Sequence, residues 1–238
     1  MRRFACLLLV CLLPAALIAL APRAAAADDY GNDDGHHWGW YFAGKGGPSY
    51  SSLDSIGATQ SGNSVNKTSS ANAIGAFGMS AGYQWMYQYH IPLRTEVEFM
   101  NRTEVTYDVA NLLSGGSTGA LASTAQNITA MAKAYWYFPV GSPNWWPFVS
   151  AGVGWAHNTF KSYYTTASGT EKTRNTLDGL AWSAGLGATL KLGRNVMNDI
   201  ELRYVDLGKA DWGLPAAHNI DAGRFSAAEV VFAIRFMF

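Results

Sequence analysis

Apolar and polar residues alternate with a period of two through most of the chain, and the alternation is cleanest at its C-terminal end. From Ala228, every second residue is apolar: Ala228, Val230, Phe232, Ile234, Phe236 and Phe238. The residues between them include Glu229 and Arg235. A period of two predicts a β-strand with one apolar and one mixed face. The same pattern recurs seven times upstream. It predicts strands at 38–45, 73–87, 93–107, 127–138, 147–158, 178–192 and 199–207, with the eighth at 226–238. In the third, Leu93, Val97, Phe99, Val105 and Tyr107 share one face, and Arg94, Glu96, Glu98, Arg102 and Glu104 share the other. Five charges on one strand face suit the lumen of a small membrane barrel. A soluble barrel would put those charges in its ligand cavity or leave Phe99, Trp155 and Leu186 in water.

The connections alternate as well. Those after strands two, four and six are short. Those after strands one, three, five and seven are long and rich in Ser, Thr, Gly and Asn, roughly 46–72, 108–126, 159–177 and 208–225. Short turns on one side and long loops on the other predict the fold class. This is an all-β, eight-stranded antiparallel up-and-down transmembrane barrel, with short periplasmic turns and four long extracellular loops. Eight strands leave a lumen just wide enough for side chains to fill. The inward parity assigns a lumen charge network of Lys45, Arg94, Glu96, Glu98, Arg102, Glu104, Lys133, Lys191, Glu201, Arg203, Glu229 and Arg235. Buried charges of both signs must pair, so the network is expected to close the barrel. Trp85, Tyr89, Trp136, Trp145 and Trp146 are expected to rim the short turns as an interfacial girdle.

The first residues change the picture of where the protein resides. Arg2 and Arg3, the apolar run 7–20 and the small residues 24–27 predict a signal peptide over 1–27. A flexible arm over 28–37 and the barrel domain over 38–238 would follow, with export through the periplasm to the outer membrane. Both cysteines, Cys6 and Cys11, lie in the removed segment, so disulfide and thiolate-metal chemistry are excluded from the mature chain. Loss of Arg2, Arg3 and Arg23 leaves fourteen basic residues against seventeen acidic ones, a net charge of −3. That balance gives no basis for nucleic-acid binding.

Four stretches resemble the Opa-like opacity proteins and related surface antigens, a family of bacterial eight-stranded outer-membrane barrels. They are Ala130–Phe138 with Pro147–Gly154, Ala181–Leu192, Ile200–Gly208, and the C-terminal strand ending at Phe238. Leu202 stands where the family often has a tyrosine. The resemblance implies a non-enzymatic protein that contributes to envelope structure and surface interaction through its loops. It implies outer-membrane lipid and lipopolysaccharide as surroundings, and periplasmic chaperones and the barrel-assembly machinery as partners in biogenesis. Phe238 and Phe236 would form the assembly signal.

Two other function classes place specific demands on the sequence. A narrow channel for small solutes needs a continuous water path past the charges. A lipid A-modifying enzyme needs a histidine within reach of a serine and an acid. His157 near Ser162, and His218 near Asp211 and Asp221, have no spacing that singles out a triad. His36 and His37 beside Asp33 and Asp34 are read as a solvated arm rather than a metal site. No cofactor, metal or catalytic residue is assigned. Gly152, Gly154, Gly185 and Gly187 are read as lumen-facing spacers.

Overall fold

The computed structural model describes residues 39–54, 57–60, 63–65, 70–114, 117–142, 144–166, 169–209, 220–221 and 224–238. The expected signal peptide, the arm and much of the fourth loop lie outside these residues. Eight strands close a barrel: β1 (Trp40–Asp54), β4 (Ser70–Gln84), β5 (Leu93–Ser114), β6 (Ser117–Tyr137), β7 (Trp145–Thr166), β8 (Gly169–Lys191), β9 (Val196–Lys209) and β11 (Arg224–Met237). The intervening β2 (Gly57–Gln60) and β3 (Asn63–Val65) pair with β10 (Ile220–Asp221) in a separate three-stranded sheet that joins the first loop to the fourth. All neighbouring barrel strands are antiparallel. β1 meets β11 from Tyr41↔Met237 to Asp54↔Arg224, so the barrel has no free edge along that seam.

The lipid-facing side is apolar and uncovered. Phe42, Met79, Val97, Phe99, Ile234 and Phe236 are all exposed, which a water-soluble barrel could not sustain. No helix among the described residues is long and apolar enough to cross a membrane, and the crossing is made by strands.

The strands run past the limits that alternation suggested. β5 to β8 are 21–23 residues long, whereas a membrane crossing takes about 9–11. Most of what the sequence suggested were the second and third loops is therefore strand. β5–β6 and β7–β8 form tall hairpins that also pair with each other up to Ala120↔Thr165. β4 and β9 leave this wall at Ala76↔Arg102 and Trp182↔Asp206, so one half of the barrel rises well above the other. β1 likewise continues through Gly46–Asp54. Its ladder with β11 is interrupted between Gly46 and Ser49, at Pro48, which has no N–H to donate.

At the opposite end β4 stops at Gln84, and a single helical turn, α1 (Met86–Tyr89), replaces the end of the expected strand. His90 closes that turn in the left-handed region at φ 55° and donates its N–H to the Met86 carbonyl. The turn between β6 and β7 ends two residues earlier than expected, since β7 opens at Trp145 rather than at Pro147. Trp146 therefore shares the inward parity of Phe148 and is buried, not part of the girdle.

Candidate functional site: the filled lumen and the outer wall

Ten of the twelve charged residues assigned to the lumen are buried inside it: Lys45, Arg94, Glu96, Glu98, Arg102, Lys133, Glu201, Arg203, Glu229 and Arg235. Two are not. Glu104 lies beyond an irregularity in the β5–β6 register between Arg102 and Val105, which takes it off the inward parity. It sits on the exposed outer wall, where it accepts a 2.8 Å hydrogen bond from Lys161. Lys191 keeps the inward parity of Thr189 but is half-buried at the end of β8, at the periplasmic rim. Asp199, not assigned to the network from the sequence, shares the parity of Glu201 and Arg203 and is buried with them. Six cations thus face five carboxylates.

The network has two tiers. In the central one, both Glu98 oxygens accept from Arg203 (2.7 and 2.9 Å), with Lys45 at 2.7 Å and Lys133 at 3.6 Å. Glu229 joins Arg102 (2.7 Å) to Arg203 (2.8 Å), and Ser49 donates to it at 2.9 Å. Lys133 donates to Glu201 at 2.9 and 3.0 Å. Glu96 accepts from Lys45, Tyr41 and Tyr135. The second tier lies nearer the periplasm, where Asp199 lies between Arg94 (2.6 Å) and Arg235 (2.9 Å) and accepts from Thr189. The Arg94 guanidinium stacks 3.6 Å from the Tyr135 ring centre, so an aromatic face meets part of the surplus positive charge.

Apolar layers lie on both sides of the charges. Tyr135, Tyr137, Trp146 and Phe148 pack together at the periplasmic end, near a second cluster of Tyr41, Ala43, Met197 and Met237. On the extracellular side Arg102 donates to Asn127, which donates to Asn158, which in turn donates to the Leu207 carbonyl. Above this chain Phe160, Phe225, Val205, Leu207, Ala125 and Ala181 form an apolar plug. The glycines make room for the filling. A Cβ on Gly185 would stand 2.8 Å from Ser150 Oγ and 2.9 Å from Arg203 Cβ, and one on Gly152 would stand 2.7 Å from Lys133 Cγ. They act as the lumen spacers the sequence suggested.

On the outside, His157 Nδ1 lies 2.6 Å from Asp178 Oδ1, and its ring packs 5.4 Å from Trp155. This oriented histidine has no serine or cysteine hydroxyl or thiol bonded to it among the described residues. The Ser162 side chain, His218, His36 and His37 lie outside the described residues. Phe236 and Phe238 face lipid, and Phe238 stacks on Phe42 at 5.6 Å.

A closed antiparallel barrel with a polar, paired interior and an apolar exterior defines a transmembrane barrel of the bacterial outer membrane. The chain belongs to the outer membrane protein beta-barrel domain family, whose model matches residues 11–236, and its location is the outer membrane. Outer membrane protein PagN of Salmonella typhimurium is 26% identical over 213 residues, spanning 84% of this chain and 83% of that protein. Among solved structures, OprG of Pseudomonas aeruginosa is 17% identical, covering 88% of this chain and 99% of its own (TM-score 0.49). Neisserial surface protein A is 16% identical, covering 86% and 100% (TM-score 0.40).

Proposed function

We propose that this protein is a non-enzymatic outer-membrane barrel that strengthens the envelope and carries a surface-interaction platform on its tall β5–β8 wall. The observation that supports this is the lumen, where paired charges sit between apolar layers. A packed interior suits a scaffold, because rigid strands hold the outer hairpins at a fixed height and spacing. The same packing weighs against the narrow-channel alternative.

The platform is tested by shortening the two hairpins together, removing 105–123 and 162–171, and comparing the molecules that cells retain at their surface. Loss of retained molecules with normal heat-modifiable gel migration is the expected result. Unchanged retention in a variant that still assembles would refute the platform.

We further propose that Phe238 and Phe236 serve as the assembly signal, with the barrel-assembly machinery and periplasmic chaperones as partners in biogenesis. Phe238 is half exposed and its stacking on Phe42 is worth about 1 kcal/mol. Deleting Phe238 is therefore expected to cut the outer-membrane level several-fold, while the refolded protein loses only about that much stability. Normal outer-membrane levels of the truncated protein, measured by fractionation, would exclude the signal.

A further inference from the structure

The outer wall carries a charge arrangement that the lumen does not explain. Directly above the lipid-facing pair Trp155↔Leu180 come His157↔Asp178, then Thr159↔Thr176, then Lys161↔Arg174 and Tyr163↔Lys172. Lys161 and Arg174 are thus two cations opposite each other on adjacent strands, a placement that is unfavourable unless an anion joins them. Lys172 stands two residues along the same face of β8, with its ammonium 5.7 Å from the Tyr163 ring centre. Glu104 offsets one charge by pairing with Lys161 at 2.8 Å. Among the described residues, no carboxylate lies within ion-pairing distance of Arg174 or Lys172.

Height is the second observation. Six residues separate Trp155 from Lys161, about 20 Å along a strand. With the usual strand tilt of about 35–45°, the cations stand roughly 15 Å above the aromatic boundary. Their long side chains can reach down toward it. Below them the same face passes through Thr159, Thr176 and the His157–Asp178 pair to Trp155, Trp182 and Leu180, which is 71% exposed. A ligand that fits the whole face needs acyl chains below and phosphate groups above.

We propose that Arg174, Lys172 and Lys161 bind the phosphorylated headgroup of a lipopolysaccharide molecule in the outer leaflet, with its acyl chains against Leu180, Trp155 and Trp182. Guanidinium and ammonium groups bridged by phosphate relieve their mutual repulsion through charge-assisted hydrogen bonds. The inference rests on the outer-membrane location and does not depend on what the hairpin tips bind.

The test uses the refolded full barrel in bicelles and measures retention of bisphosphorylated lipid A against the same lipid after dephosphorylation. The wild-type barrel is expected to retain the phosphorylated form at least tenfold more strongly. The double variant Lys172→Gln/Arg174→Gln should lose that preference, and Glu104→Gln should strengthen it several-fold. Heat-modifiable migration checks folding of each variant. Should the double variant fail to fold, the wild-type lipid comparison and Glu104→Gln still decide the matter. Equal retention of both lipids, or a folded double variant with an unchanged preference, would overturn the proposal. Competition by inorganic phosphate, or by an acyl-free sulfated oligosaccharide as effective as lipid A, would overturn it too, making the wall a site for soluble anions.

Discussion

Replacing Glu98 by alanine is expected to lower the unfolding free energy by about 3–5 kcal/mol, the loss that follows when one partner of a buried ion network is removed. Glu98 is fully buried and accepts from both Lys45 and Arg203, with Lys133 in ion-pair range. Its removal leaves three cations facing one another in a space that water enters only at a cost. Urea unfolding of the refolded barrel in lipid vesicles, followed by tryptophan fluorescence, measures the loss. Glu104→Ala is the matched control, because its ion pair with Lys161 is exposed and worth only about 0.2–1 kcal/mol. If both variants lose the same small amount, the lumen charges do not hold the barrel together.

A loss of similar size is expected from the apolar plug. Phe225 is 1% exposed, packs edge-to-face on Phe160 at 6.3 Å, and is surrounded by Val205, Leu207, Ala125 and Ala181. Phe225→Ala removes the ring and leaves a cavity between rigid strands that cannot collapse, at a cost of about 3–5 kcal/mol. Phe225→Leu keeps most of the volume and should lose less than half as much. The two variants separate packing from any change in polarity, and the same urea unfolding reads both. Equal effects of Ala and Leu would mean that the plug is not close-packed.

The membrane-spanning part of each strand was legible because one face meets lipid and the other does not. Phe42, Phe99, Trp155, Leu186 and Phe232 all point where their parity placed them. Above the membrane that contrast disappears. Residues 105–123 and 159–177 mix Ser, Thr, Gly and Asn into both parities. Their Ser, Thr and Asn positions therefore carry no alternation and looked like loop. Gly46, Gly47 and Pro48 read as the start of the first long loop for a related reason, although Ser49 and Ser51 face the lumen fully buried and Tyr50 faces out.

The site failed where the strand was irregular or its boundary was misplaced. A register irregularity after Arg102 put Glu104 outside, and no residue pattern around it announced that change. Trp146 was misplaced because Trp145 opens the strand and the turn is shorter than its proline content suggested. Asp199 was fully legible, since it shares the parity of Glu201 and opens the expected seventh strand, but at that strand's first position it was left out of the charge network. Lys191 had the right parity at the wrong depth, which a period of two cannot report.

A barrel whose lumen holds paired charges beneath an apolar plug should not conduct ions. Incorporation of the refolded barrel into planar bilayers tests it most directly. The filled lumen predicts a baseline without steps at every applied voltage. Reproducible single-channel steps from the wild-type protein would contradict it, and would mean that water threads the charged tiers and the Phe160–Phe225 plug.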